Sequence, residues 1–312
     1  MGLLFVMSAM ALLALPGLTV RLGRRLPPSE WAAMARWALV VGAAAVELSF
    51  ALYAAPTLFR AVGVPALATM CRRILAGFLP GGPTAGWTAL AAAVTLPALG
   101  AVGAWRARQA YATVRADVWL GQHHEMDGVE LVVLPTAQPL AVSVAGDSGQ
   151  ILVSRGLVDA LTEEQLQLVV DHEMAHLRLG HQRVLQFATA LDHAFAFFWP
   201  MRQSTAALRV ALERCADEEA AGTEPLRRAQ LRAALLSVGG LAAGNELAAL
   251  STPETVLERL AALDVPPRPP SALLRGALYL PGSALGALLI MSMGAWGGQA
   301  RMVLAMAGRC PG

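Results

Sequence analysis

The chain contains the octapeptide Val170-Asp171-His172-Glu173-Met174-Ala175-His176-Leu177, within a longer run from Thr162 to His181. His172 and His176 are four residues apart. On an α-helix their imidazoles lie on one face, about 6 Å apart at Cβ, and can share one metal ion. The carboxylate of Glu173 can reach a water on that metal without being a ligand, which is the position of a general base. The octapeptide therefore predicts a zinc site built for hydrolysis.

The flanking residues predict that this motif lies in the middle of a helix. Thr162 can cap the helix, and Gln165 completes a capping box. Apolar residues then recur at helical spacing, at Leu166, Val169, Val170 and Leu177. His181 is nine residues beyond His172, so on an unbroken helix it lies about 180° around and points away from the metal.

A catalytic zinc site needs a third protein ligand and one open position. Glu213 and Asp217 are four residues apart on a second predicted helix. One of them can bind the metal while the other accepts a hydrogen bond from a ligand histidine. The alternative is that the histidines and Glu173 are satisfied core groups and that Glu213 and Asp217 form a solvated face. Two paired motifs favour the metal site.

These segments together resemble the BlaR/MecR-type membrane metallopeptidases, kin of the HtpX-type proteases. The resemblance covers residues 130–221 and rests on Pro139 to Thr162, on His172-Glu173-Met174-Ala175-His176 and on Glu213 to Ala221. It implies a gluzincin-type domain in which zinc is bound by His172, His176 and Glu213. It further implies that Glu173 is the base and that Asp217 supports a ligand histidine from behind.

The resemblance also implies a function. It predicts a zinc endopeptidase in the bacterial inner membrane that cleaves a cytoplasmic protein, specifically a transcriptional repressor in a signalling pathway, with the repressor encoded nearby. Only about a dozen residues follow the last predicted span, so we expect no penicillin-binding sensor domain. Two alternatives stay open: an HtpX-like quality-control protease and a non-catalytic membrane sensor. The intact Glu173 argues against the sensor, because a structural metal site needs no base.

Composition predicts an integral membrane protein. Of 312 residues, 56% are hydrophobic and 15% are charged, which is too apolar for a soluble domain. The net charge of +2 indicates no direct binding of nucleic acid. Apolar segments predict about four transmembrane helices, at residues 1–20, 37–59, 86–105 and 276–298. Glu47 lies inside the second segment. It is either a functional group or a carboxyl that is protonated or paired with another residue among the packed transmembrane helices.

Arginines near the ends of the predicted spans indicate the orientation. Nine fall on the side of residues 106–270 and five on the opposite side, which places residues 106–270 in the cytoplasm. The nine are Arg21, Arg24, Arg25, Arg36, Arg106, Arg108, Arg115, Arg268 and Arg275, and the five are Arg60, Arg72, Arg73, Arg301 and Arg309. The predicted domains are three spans in residues 1–109, a metalloprotease domain in 110–265, and a proline-rich linker with the last span in 266–312.

Three short runs before the motif helix predict a small β-sheet, at residues 130–134, 140–145 and 150–154, with a hairpin joining the last two. An exposed edge strand there can hold an extended peptide substrate, or the hairpin can merely cover the core. The segment 121–128 is predicted to be a polar loop. Its His123 and His124 are candidate oxyanion donors or solvated residues.

The apolar, aromatic-rich segment 184–200 is too close to both motifs to cross a membrane, since residues 177–212 cannot hold two spans and a turn. It predicts a helical hairpin that bends near Pro200, with its aromatic tip on the bundle or in the membrane interface. Asp192 and His193 within it are read as a polar edge. Further helices are predicted at 225–243 and 253–263. The predicted fold is mainly α, with a cytoplasmic α+β domain.

Overall fold

The computed structural model describes residues 26–75, 83–116, 121–126, 128–145, 149–241 and 253–265. The predicted spans at residues 1–20 and 276–298 and the proline-rich linker lie outside these ranges, so they remain predictions. The remaining segments form long N-terminal helices, one small sheet and a group of helices around the His-Glu motif.

The N-terminal helices are α1 (Pro28–Ala61), α2 (Pro65–Leu75) and α3 (Pro83–Ala116). The predicted spans at 37–59 and 86–105 fall within α1 and α3. Within the described ranges, Pro28–Ala61 and Thr84–Ala110 are the two helical stretches long and apolar enough to cross a bilayer. They suggest that the protein is associated with a membrane, whereas a four-span topology remains a prediction.

The sheet has four strands, in the order β1-β2-β4-β3. They are β1 (Gln122–Met126), β2 (Val129–Leu134), β3 (Ala141–Val144) and β4 (Gln150–Ser154). Strands β1 and β2 are antiparallel, β2 and β4 are parallel, and β3 and β4 are antiparallel. The predicted strands and the hairpin between the last two are confirmed. Within the described ranges no strand pairs with β3 on the side away from β4, so β3 has an open edge.

Strand β1 shows that the prediction of a polar loop at 121–128 was wrong. Gln122–Met126 pairs with β2, and Nδ1 of His123 lies 2.6 Å from Oε1 of Glu130 across the pair. Gly128 turns the chain with a φ of 77°, a conformation that glycine adopts without strain. The segment becomes a strand because β2 is there to pair with it, and its polar residues can face solvent at the sheet edge.

Six further helices complete the described chain: α4 (Arg155–Ala160), α5 (Glu163–Arg178), α6 (His181–Ala194), α7 (Trp199–Ala221), α8 (Pro225–Leu241) and α9 (Pro253–Asp264). Helices α6 and α7 form the predicted hairpin, which turns at residues 195–198, shortly before Pro200. Proline is compatible with the first turn of a helix, so Pro200 lies in the first turn of α7 without bending it. At the tip Phe195 is buried, whereas Phe197 and Trp199 are exposed.

Helix α5 begins as predicted and ends earlier than assumed. The Thr162 side chain accepts from the Gln165 N–H, and the Gln165 side chain accepts from the Thr162 N–H, which is a complete capping box. After Leu179, Gly180 takes a left-handed conformation with a φ of 65°. The chain therefore turns before His181 begins α6, so the assumption of an unbroken helix through His181 was wrong.

Packing on both sides fixes the helices that carry the motifs. Ile151 and Val153 of β4 pack against Val170 and Met174, which holds α5 on the sheet. The first part of α7 packs against α1, in a cluster that includes Trp31, Ala35, Leu39, Leu208, Ala211 and Leu212. Helix α7 thus extends from the apolar N-terminal helices to α5.

Arg228 of α8 ties α7 and α9 together. It is buried, and its guanidinium donates to the carbonyl of Gly222 at the end of α7 and to those of Ala262 and Leu263 at the end of α9. Carbonyls at helix C-termini lack partners within their own helices, so one guanidinium satisfies two helix ends at once. This contact sets the position of α9 beside α7.

Candidate metal centre

Three side chains from α5 and α7 meet at one point. Nε2 of His172 and Nε2 of His176 are 3.2 Å apart. The Glu213 carboxylate lies opposite both rings, with Oε2 3.5 Å from Nε2 of His172 and Oε1 3.6 Å from Nε2 of His176. Among the described residues this group can hold a metal ion. The structure thus brings together the three residues that were predicted as ligands.

The spacing of these atoms fits zinc. Donor atoms at 2.0–2.2 Å from a tetrahedral ion lie about 3.3 Å from one another. The distances of 3.2, 3.5 and 3.6 Å are all close to that value, the last two being measured to different oxygens of the Glu213 carboxylate. Two imidazoles and one carboxylate are also the donor set of many catalytic zinc sites, in which the fourth position stays open. The arrangement therefore fits a hydrolytic zinc centre.

Asp217 supports His172 from the side that faces away from His176. Its Oδ1 lies 3.0 Å from Nδ1 of His172, at ion-pair distance but without the alignment of a hydrogen bond. Burial alone lowers the pKa of His172, but the contacts with Asp217 and Glu213 outweigh it and raise this pKa to about 9. In the metal-free protein His172 is therefore a cation at neutral pH.

Arg259 of α9 enters the site, and its guanidinium contacts Glu213 and Asp217 of α7. Its Nε donates to Oδ2 of Asp217 at 2.8 Å and its Nη2 to Oδ1 at 2.6 Å, while Nη1 lies 3.0 Å from Oε2 of Glu213. Burial raises the pKa of both carboxyls, but Arg259 and the neighbouring histidines outweigh it. They hold the pKa of Asp217 at about 2 and that of Glu213 well below its usual range.

His181 lies behind His176. Its Nδ1 is 3.0 Å from Nδ1 of His176, and the ring is buried. Burial and the neighbouring His176 lower the pKa of His181 to about 4, so it is neutral at pH 7. His181 is not one of the three clustered ligands. The helix break at Gly180 nevertheless brings it against one of them, which the unbroken-helix assumption did not foresee.

The predicted base, Glu173, contacts the edge strand. Its Oε2 accepts the backbone N–H of Ser143 at 2.8 Å, and the Gln182 side chain accepts the N–H of Ala145 at 2.7 Å. Both donors belong to the open edge at β3, on the side away from β4. The carboxylate of Glu173 therefore lies between its own helix, α5, and the edge of β3.

The other candidates lie elsewhere. His123 and His124 are on β1, and His123 is engaged with Glu130. Asp192 bridges α6 to α7 through Thr205 and Arg209, and its Oδ2 accepts from Arg209 at 2.8 Å. Nδ1 of His193 contacts the Thr189 carbonyl oxygen. Glu47 lies within α1. Among the residues that the structure describes, none of these belongs to the group of His172, His176 and Glu213.

Sequence reasoning missed Arg259, although a signal was present. Val256, Leu260 and Leu263 recur at the spacing of one helix face, and Arg259 lies on that same face between them. An arginine on the buried face of an amphipathic helix indicates a buried acidic partner. The partner could not be identified from sequence, because Asp217 is 42 residues away.

Residues 129–243 match the model of Peptidase family M48. This family consists of zinc metallopeptidases, so the match supports a metallopeptidase and zinc as its metal. The search of curated proteins and the search of solved structures returned no match. The matched segment contains the ligand group and Asp217, whereas Arg259 lies beyond it.

Replacing Arg259 tests how the site balances its charges. Arg259→Met leaves Asp217 and Glu213 with His172 as their neighbouring cation in place of two cations, which should cost about 3 kcal/mol of unfolding free energy in the metal-free protein. The measurement is denaturation in detergent with chelator present. Arg227→Met is the control, because Arg227 is partly exposed and pairs with Asp171 at 2.9 Å. It should cost about 1 kcal/mol or less. Equal losses in the two variants would contradict this account.

Zinc binding should release protons. At pH 7 the raised pKa keeps His172 protonated, and a ligand imidazole must be neutral. We expect about one proton released per zinc at pH 7, falling as the pH rises through the pKa of His172. Calorimetric titration in buffers of different ionisation enthalpy measures this number. Asp217→Asn should reduce it, because the pKa of His172 then falls. No proton release from the wild type would refute the assignment.

Proposed function

We propose that the chain is a membrane-associated, zinc-dependent endopeptidase with Glu173 as its general base. The main observation behind the proposal is that His172, His176 and Glu213 bring their donor atoms to within 4.8 Å of one another, whereas the adjacent Glu173 carboxylate points to a strand edge instead of joining them. The match of residues 129–243 to Peptidase family M48 supports it.

The chemistry follows from the positions of these groups. His172, His176 and Glu213 would hold a zinc ion, which would supply a Lewis acid for the scissile carbonyl and for the attacking water. Glu173 accepts the proton of the attacking water and then passes it to the leaving amine. Asp217 and Arg259 keep His172 and Glu213 in the orientation and charge state that the site needs.

We further propose that the substrate binds as an extended strand along β3. The N–H groups of Ser143 and Ala145 face the open edge, where they meet side chains rather than another strand. A peptide paired there would run beside α5, the helix that carries His172 and His176, and its backbone would be held by strand pairing. N-methylation of substrate amides at alternate positions should then slow cleavage, and equal rates for all methylated peptides would exclude this mode.

The resemblance to BlaR/MecR-type proteins supports a finer proposal, in which the substrate is a cytoplasmic transcriptional repressor. The arginine pattern supports a cytoplasmic location for residues 106–270. These residues should then resist protease added to intact spheroplasts and be cut in inside-out vesicles. A broad quality-control role is the alternative, since an edge strand recognises backbone and accepts many sequences.

Replacing the base separates catalysis from metal binding. Glu173→Gln should retain one zinc per chain but lose about 10²–10⁴-fold in peptide cleavage, because the amide cannot accept the proton. Purified protein in detergent is assayed for zinc content and for cleavage of unfolded peptides, with and without chelator. Glu163→Gln, on the exposed first turn of the same helix, is the matched control and should behave as wild type. Cleavage by Glu173→Gln at the wild-type rate would disprove the proposal.

New protein termini identify the substrate class. Cells producing the wild type or Glu173→Gln are compared by mass spectrometry of N-terminal peptides. A repressor protease should generate one or a few cytoplasmic cleavages that depend on Glu173. Many cleavages in membrane proteins would instead support the quality-control role, and none at all would favour the non-catalytic sensor.

A further inference from the structure

His181 contacts the ring nitrogen of His176 that faces away from the metal group. The two Nδ1 atoms are 3.0 Å apart, and the rings meet edge to face with centroids 4.8 Å apart. On the other side of the His176 ring, Nε2 faces Glu213 at 3.6 Å. His181 is 4% exposed, so water has little access to this contact.

The geometry determines which atom must donate. An imidazole that binds a metal through Nε2 carries its proton on Nδ1, and in a buried site that N–H needs an acceptor. Nδ1 of His181 is at hydrogen-bond distance. It can accept when the proton of His181 is on Nε2, since a neutral imidazole has one donor and one acceptor nitrogen.

We propose that His181 is a positioning residue, whose Nδ1 accepts the Nδ1–H of His176 and thereby fixes the tautomer and ring orientation in which His176 binds zinc. The inference rests on the proposed metal site. It assigns the two ligand histidines different supports: His172 faces the carboxylate of Asp217, whereas His176 faces the imidazole of His181. Such supporting contacts orient a ligand and tune its basicity.

The local chain is built to make this contact. Gly180 has a φ of 65°, so the backbone leaves α5 in a left-handed conformation and begins α6 at His181. On a continuous helix, residues five apart lie about 140° around the axis from each other. The turn at Gly180 is therefore what allows the ring of His181 to meet that of His176.

Three variants separate hydrogen bonding from packing. His181→Asn keeps an acceptor near the position of Nδ1, whereas His181→Leu has similar bulk and no acceptor. His193→Leu is the matched control, because His193 is a half-buried histidine on the same helix whose Nδ1 contacts Thr189. Each purified full-length protein is titrated with Zn²⁺ against a competing chelator. The visible absorption of the Co²⁺-loaded form and the thermal unfolding of the metal-free form are also recorded.

The expected zinc affinity is about 10–100-fold weaker for His181→Leu and within about threefold of wild type for His181→Asn and His193→Leu. The Co²⁺ spectrum should change in His181→Leu and be preserved in His181→Asn. Wild-type affinity in His181→Leu would overturn the inference. An equal loss in His181→Asn and His181→Leu would overturn it too, since the acceptor would then not matter.

A fourth variant keeps the test decisive if His181→Leu does not fold. His181→Gln is polar, but its amide lies near the position of Nε2, so it should bind zinc more weakly than His181→Asn. Equal affinities of these two would overturn the inference. If the wild type itself bound no zinc, the proposed function would fail and this inference with it. Normal zinc binding by His181→Leu would remove only the role of His181.

Discussion

One buried guanidinium holds the charge balance on which the site depends. Arg259 contacts Asp217 with two nitrogens and Glu213 with a third. Two carboxylates so close together in a buried place would otherwise favour protonation of one of them, and a protonated carboxyl is a poor ligand. The planar fork of arginine binds Asp217 with two nitrogens and keeps a third for Glu213, a fixed geometry that the single ammonium of a lysine does not offer. Helix α9 therefore takes part in the site although it supplies none of the clustered ligands.

Helix α7 connects this site to the apolar N-terminal helices. Its first half packs against α1, and its second half carries Glu213 and Asp217 toward α5. Arg214, directly after Glu213, lies 5.8 Å from the Trp31 ring of α1, at cation–π distance. Helix α1 is one of the two candidate spans. Protein interiors are close-packed and transmit strain. A displacement of α1 along α7 would therefore disturb the packing directly beside Glu213.

Local signals predicted much of this structure from sequence. The capping box at Thr162, the four-residue spacing within each motif and the short β-rich runs that became β2 to β4 all depend on neighbours in sequence, so a pattern reveals them. What the sequence did not reveal depends on distant partners. Strand β1 exists because β2 pairs with it, and Arg259 matters because α9 meets α7. The turn at Gly180 was local, yet nothing in the sequence excluded a helical glycine.

The contacts at β3 explain how an open strand edge can be both protected and available. An unpaired edge is a template for association with other chains. Here two edge N–H groups, those of Ser143 and Ala145, are satisfied by the side chains of Glu173 and Gln182. A side chain can move away by rotation about its χ angles, whereas a paired strand would have to be pulled off as a unit. Since one of these side chains is the proposed base, a peptide that paired with the edge would take over the hydrogen bond of Ser143 and release the carboxylate for proton transfer. Strand pairing and activation of the base would then be a single event, which ties hydrolysis to substrates that can adopt an extended backbone.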